Sequence, residues 1–229
     1  MKVAVIGTGQ MGENHVRVYS SMDNVYLVGV ADANKERAGQ IAKKYNTKAY
    51  SDYKQMLAKE KIDALSVCVP TKMHKEVVLA ALDKKINVLV EKPIALNVAE
   101  AEGMLRKAKE KKVRLMVGHI ERFNPVVTEL KKRIAANELG QIYKVHCFRM
   151  GPFPKRIIDV GVIIDLGIHE VDILRHIIGS KIIRVYAETA QRIHSNHEDL
   201  LTATVRFENG ILGVINANWL TPKKVRFLM

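Results

Sequence analysis

A doubly wound parallel α/β domain followed by an α+β domain with an open, mainly antiparallel sheet is the architecture this sequence predicts. Three observations carry it. A glycine-rich turn separates a first short strand from a first helix, strands and helices then alternate as far as Gly118, and beyond that point long β-type runs take over. The expected domains are residues 1–120 and 121–229.

At 229 residues with 48% hydrophobic side chains, the chain can bury two modest cores. No window approaches the roughly 18 consecutive apolar residues of a membrane span. The amino terminus enters a strand pattern at Lys2 without the pattern of a secretory signal, and Cys68 and Cys147 are the only cysteines, so a reduced, cytoplasmic protein is expected. The net charge of +13 is spread over both halves, with 21 basic and 13 acidic residues up to Ile120 and 16 and 11 after it. No basic strip interleaved with aromatics accompanies it, so no nucleic-acid or membrane partner is expected. The surplus suits a small anionic ligand.

Lys2 to Ile6 is a β-branched run that leads into Gly7-Thr8-Gly9-Gln10-Met11-Gly12 and a helix to about Met22. Gly7 permits a tight turn, Gly9 lets a pyrophosphate approach the backbone, and Gly12 lets helix and strand pack closely; the helix amino terminus favours the negative charge. A second strand, Tyr26 to Ala31, ends at Asp32. A carboxylate there accepts the ribose hydroxyls of NAD and repels the additional phosphate of NADP, which makes NAD the expected cofactor. Its other reading is a cap for the helix that starts near Lys35. Arg37 is a candidate to stack on the adenine or to soften that discrimination.

The alternation continues with a helix at Lys35 to Tyr45, a brief strand at Lys48 to Tyr50, a helix at Ser51 to Lys59 and a buried strand at Ala64 to Val69. Pro70 and Thr71 end that strand where they would line the cofactor groove. The next helix is expected from about His74 to Lys84, with His74 either a surface or capping residue or a cofactor contact. Asn87 to Val90 then runs into Glu91-Lys92-Pro93. A lysine at the carboxyl end of a buried strand lies where open α/β sheets bind ligands, and its ammonium can polarise a substrate oxygen; alternatively it snorkels to solvent. Asn97 opens another helix as an Asx-type capping box, and Leu115 to Val117 is the sixth strand.

In the second half, Glu121-Arg122-Phe123-Asn124-Pro125 leads into a helix from about Val126 to Asn137. Strands are expected at Ile142 to Met150, Ile182 to Arg192, Leu200 to Phe207 and Ile211 to Trp219, the last two joined by an Asn209-Gly210 hairpin turn. Between the first two lies a helix from Asp165 to Ile178. It carries Asp165, His169 and Asp172 at i, i+4 and i+7, hence on one face. That set reads as a histidine base oriented by carboxylates, or as an N-cap beside a satisfied buried histidine. With no further ligand nearby, no metal is expected.

Taken together, Gly7 to Gly12, Glu91-Lys92-Pro93 and Asp165-Leu166-Gly167-Ile168-His169 resemble, in order and over essentially the whole chain, the signatures of the Gfo/Idh/MocA family of NAD(P)-dependent sugar and polyol oxidoreductases. The resemblance implies a Rossmann domain followed by a sheet domain whose face packs in homo-oligomers. It implies that Lys92 contacts the reacting hydroxyl and the nicotinamide side of the site, with Glu91 beside it as a further cofactor contact, that Asp165 helps position the substrate and that His169 is the general base. The stretches Gly118 to Pro125 and Arg149 to Arg156, leading into Asp159-Val160-Gly161-Val162, look like the branch that oxidises the 3-hydroxyl of UDP-N-acetylglucosamine. Arg122, Arg149, Lys155 and Arg156, with Asn124, would then supply donors to a pyrophosphate. A free sugar or inositol substrate, or a truncated NAD-binding protein without catalysis, are the alternatives. Members of this family continue well past Met229, so the sheet is expected to lack later strands and to leave an open edge.

Overall fold

The computed structural model describes residues 1–154, 160–193 and 196–229. They form two compact units, Met1–Gly118 and His119–Met229, so the change of unit falls two residues before the expected position.

The first unit runs β1 (Lys2–Ile6), α1 (Gln10–Ser20), β2 (Tyr26–Ala31), α2 (Lys35–Lys44), β3 (Ala49–Tyr50), α3 (Tyr53–Lys59), β4 (Ala64–Val67), α4 (Thr71–Asp83), β5 (Asn87–Val90), α5 (Val98–Lys111) and β6 (Leu115–Val117). Its six strands lie in the order β3-β2-β1-β4-β5-β6, all parallel, which is the doubly wound Rossmann order. The central strands are apolar on both faces because helices cover both. Val77, Val78, Ala81 and Leu82 of α4 and Met104 and Ala108 of α5 pack on one core, while Val16 of α1 joins Val5, Val30, Ile41 and Ala42 in another. The strand order reverses between β1 and β4, so the carboxyl ends of β1, β4 and β5 border the crevice in which such sheets bind ligands.

Helix α4 begins at Thr71, three residues before the expected start, with Pro70 in the N-cap position. Asn97 caps α5 as expected, accepting from the Glu100 amide at 3.0 Å.

The second unit opens with a 3₁₀ turn at Ile120–Phe123 and continues with α6 (Pro125–Ala135), β7 (Lys144–Pro152), a π-helical turn at Ile163–Gly167, α7 (Ile168–Ile178), β8 (Ile182–Ala190), β9 (Leu200–Phe207), β10 (Leu212–Asn218) and β11 (Leu220–Leu228). The strand order is β11-β7-β10-β9-β8; β7 and β10 run parallel and the remaining neighbours antiparallel. Leu201, Ala203, Val205 and Phe207 alternate inward along β9 and meet Ile173, Leu174 and Ile177 of α7. Gly213 lets helix and sheet approach, since a Cβ there would lie 3.0 Å from Leu174 and 2.7 Å from Val205.

Strand β11 is absent from the sequence-based reading. In the structure the register shifts between Leu220 and Val225, a stretch that contains Pro222, after which Val225 to Leu228 pair with β7. Among the described residues no helix is long and apolar enough to cross a membrane.

Candidate active site

In the first unit the glycine turn has the geometry of a dinucleotide cradle. Gly7 sits at φ +88°, and a Cβ there would lie 2.6 Å from the Cys68 carbonyl carbon. A Cβ on Gly12 would fall 1.7 Å from the Gly7 oxygen, whereas one on Gly9 would meet only open space. The first intrahelical bond of α1, from the Glu13 amide to the Gly9 carbonyl at 2.8 Å, leaves the amides of Gln10, Met11 and Gly12 without an intrahelical acceptor. The buried Thr8 donates its amide at 2.7 Å and its hydroxyl at 2.9 Å to the same oxygen of Asp32. The other Asp32 oxygen accepts from the Asn34 amide at 2.9 Å. Asn34, not Asp32, caps α2, accepting from the Arg37 amide at 3.0 Å. Arg37 is exposed in the first turn of α2.

An open face at Gly9, three helix-end amides and a carboxylate at the end of β2 fit the pyrophosphate and ribose of NAD. Asp32→Asn is expected to raise the ratio of NADP to NAD kcat/KM by about tenfold, the loss of one charge repulsion of roughly 1–4 kcal/mol near a surface. Parallel kinetics with the two cofactors check this, and an unchanged ratio contradicts it.

Lys92 lies two residues beyond the end of β5, half-exposed, and its peptide to Pro93 is cis. Two neighbours differ from expectation. Glu91 is turned inward and only 8% exposed, with His15 Nε2 at 3.0 Å from one oxygen and the Lys92 amide donating to the other at 3.3 Å. His74 is neither a cap nor a cofactor contact: it is 1% exposed, and its ring nitrogens lie 2.9 Å from the carbonyl oxygens of Pro93 and Val69. Its place inside the first full turn of α4, behind Pro70, carries the ring into the core and lets it tie together the segments that follow β4 and β5. Pro70 is exposed and Thr71 half-exposed at the start of α4.

In the second unit Asp165 lies in the π-helical turn and His169 in the first turn of α7, both half-buried. The expected single α-helix from Asp165 is thus two segments, with Asp165 in the wider turn and His169 and Asp172 in the regular helix. Such π turns recur at functional sites. Asp172 leaves the set: both its oxygens accept from Arg122, at 2.8 and 2.5 Å, and His119 Nδ1 lies 3.7 Å away.

Of the expected pyrophosphate donors, Arg122 and Arg149 are engaged within the protein. Arg122 is held in that fork with Asp172. Arg149, 5% exposed on β7, donates to Glu170 of α7 and, at 2.9 Å, to Glu121. Burial acts to raise the Glu121 carboxyl, but hydrogen bonds from Arg149 and Asn124, with the Arg149 and Arg226 charges, outweigh it and hold the group below its usual range. Burial likewise acts to lower Arg149, and the Glu170 and Glu121 carboxylates overcome it. Asn124 caps α6, accepting from the Val126 amide at 3.1 Å while donating to Glu121 at 3.1 Å. Lys155, Arg156 and Asp159 lie outside the described residues. Among the described residues no three His, Cys, Asp or Glu side chains come together as a metal site.

Residues 1–119 match the profile of an oxidoreductase family with an NAD-binding Rossmann fold, and residues 127–228 match the GFO/IDH/MocA C-terminal domain. The chain belongs to the Gfo/Idh/MocA oxidoreductase family. It is therefore an NAD-binding oxidoreductase of the kind that acts on CH–OH groups. The UDP-N-acetylglucosamine 3-dehydrogenase of Acidithiobacillus ferrooxidans is 30% identical over 95% of this chain and 67% of its own length. Its crystal structure superposes on the whole chain with a TM-score of 0.90, at 29% identity, covering 70% of that chain. The myo-inositol 2-dehydrogenase of Thermotoga maritima is 28% identical over 94% of this chain and 68% of its own length. The present chain thus spans about two thirds of the length of these relatives.

Proposed function

We propose that this Gfo/Idh/MocA protein oxidises a secondary hydroxyl, at C3, of a sugar nucleotide such as UDP-N-acetylglucosamine. The observation that carries the reading is the placement of Lys92 at the carboxyl end of β5, on the sheet edge that also presents the glycine cradle and Asp32. NAD, when bound, supplies the hydride acceptor. Lys92 donates a charge-assisted hydrogen bond to the substrate oxygen and stabilises it as it becomes an alkoxide. His169 takes the hydroxyl proton, and Asp165 orients the substrate from the turn before it. The exposed Ile183, Val185 and Tyr186 of β8 support the further reading that this sheet pairs with a second copy.

The relative that acts on UDP-N-acetylglucosamine supports the sugar-nucleotide assignment. A second reading, a free sugar or inositol, is favoured by the engagement of Arg122 and Arg149 within the protein, which leaves fewer cations for a pyrophosphate. NADH formation with UDP-N-acetylglucosamine, N-acetylglucosamine and myo-inositol separates the two. The first reading predicts turnover of the nucleotide sugar and competitive inhibition by UDP. Turnover of inositol alone, insensitive to UDP, would replace it with the second.

A further inference from the structure

We propose that His15 is a positioning residue that ties the cofactor-binding helix to the catalytic lysine's backbone through Glu91. This rests on the role given to Lys92 above. His15 lies on α1 one turn beyond Gly12, with Nε2 3.0 Å from Glu91 Oε1 and Nδ1 3.0 Å from the hydroxyl of Ser66. Tyr19, one further turn along the same face, places its hydroxyl 2.7 Å from the same Ser66 oxygen. Ser66 is fully buried on β4, and the second Glu91 oxygen accepts from the Lys92 amide. One polar chain therefore runs from α1 through β4 to the end of β5.

The hydrogen positions in that chain follow from what each group can do. With His15 Nε2–H donating to Glu91, Nδ1 can accept from Ser66 and Ser66 from Tyr19. Burial raises the Tyr19 hydroxyl, which keeps it a donor. Every donor finds one acceptor. A fully paired buried network fixes geometry more closely than apolar packing of the same volume. Gly118 closes the other side, since a Cβ there would lie 3.0 Å from Glu91 Oε1. Glu91 is thus held by α1 on one side and by the Gly118 backbone on the other, and its carboxylate in turn holds the Lys92 peptide. The cradle for the pyrophosphate and the lysine for the substrate are registered to each other by a single imidazole. Sequence reasoning passed over His15, Tyr19 and Ser66; a serine inside the apolar run of β4 and a histidine–tyrosine pair at i, i+4 were the signals available.

The test uses His15→Ala and His15→Gln in the full chain, the glutamine placing an N–H where Nε2 stands. The readout that needs neither cofactor nor substrate is the Lys92 amide signal in protein labelled with ¹⁵N-lysine, assigned by its disappearance in Lys92→Arg. We expect His15→Ala to move that signal, to lower kcat by about a hundredfold and to change the NAD dissociation constant by less than about threefold. His15→Gln should return the signal and recover kcat to within about tenfold of the parent. An unmoved Lys92 signal in His15→Ala overturns the proposal, as does an equal loss of kcat and NAD affinity that glutamine does not recover. Should His15→Ala not fold, Ser66→Ala cuts the same chain and must shift the same signal; no shift overturns the idea. Because the signal is read without turnover, a parent enzyme inactive on every substrate would sink the dehydrogenase reading and leave this inference to be decided by the spectrum.

Discussion

Lys92→Ala is expected to lower kcat by about a thousandfold, the scale on which removal of one preorganised charge at a developing oxyanion acts, while the NAD dissociation constant stays within about threefold. The separation follows from where the lysine stands. The cofactor's phosphates and ribose are addressed by the amides of α1 and by Asp32, none of which depends on the Lys92 ammonium. Lys92→Arg keeps the charge but replaces a compact ammonium with a planar fork, so it should recover only part of the loss. Calorimetric titration with NAD beside steady-state kinetics reads both quantities. An equal fall in affinity and turnover would make Lys92 a cofactor anchor instead.

Arg149→Ala is expected to destabilise the second unit by about 3–5 kcal/mol, because it strands the buried Glu170 carboxylate without its partner. That is a large share of the total stability of a domain of this size. Replacing both members, as in Arg149→Met with Glu170→Gln, should recover much of the loss, since the uncompensated charge is gone. Urea unfolding of the three proteins checks the order. The linked pH dependence has a definite sign. Glu121 is lowered in the folded state, so its contribution is complete above the unfolded carboxylate value of about 4.3 and is lost as pH falls through the lower folded value. A stably folded Arg149→Ala protein that loses affinity only for UDP-containing substrates would restore Arg149 as a pyrophosphate donor.

What the sequence revealed and what it hid divide along physical lines. The glycine turn, the alternation and Asp32 were legible because each is a local requirement: a φ of +88° at Gly7, no room for a Cβ at Gly12, a carboxylate at a strand end. The Asn209-Gly210 hairpin was legible for the same reason, Gly210 lying at φ +88°. Partnerships between distant residues were hidden. Arg149 and Glu170 are 21 positions apart, and Arg122 and Asp172 are 50 apart, so nothing in either stretch marks the cations as engaged. His74 was misread because a histidine early in a helix is usually solvated, whereas here the helix starts earlier and turns the ring inward. The π turn before α7 was hidden too, since a face argument assumes one helical period throughout.

The central claim, that this chain moves hydride from a sugar carbon to NAD, is tested most directly with UDP-N-acetylglucosamine deuterated at C3. The account predicts deuterium in the reduced NAD recovered after turnover, and a 3-oxo sugar nucleotide as the other product. Reduced NAD without deuterium would place the oxidised carbon elsewhere, and no reduction of NAD by this substrate or by any sugar or polyol would contradict the account altogether.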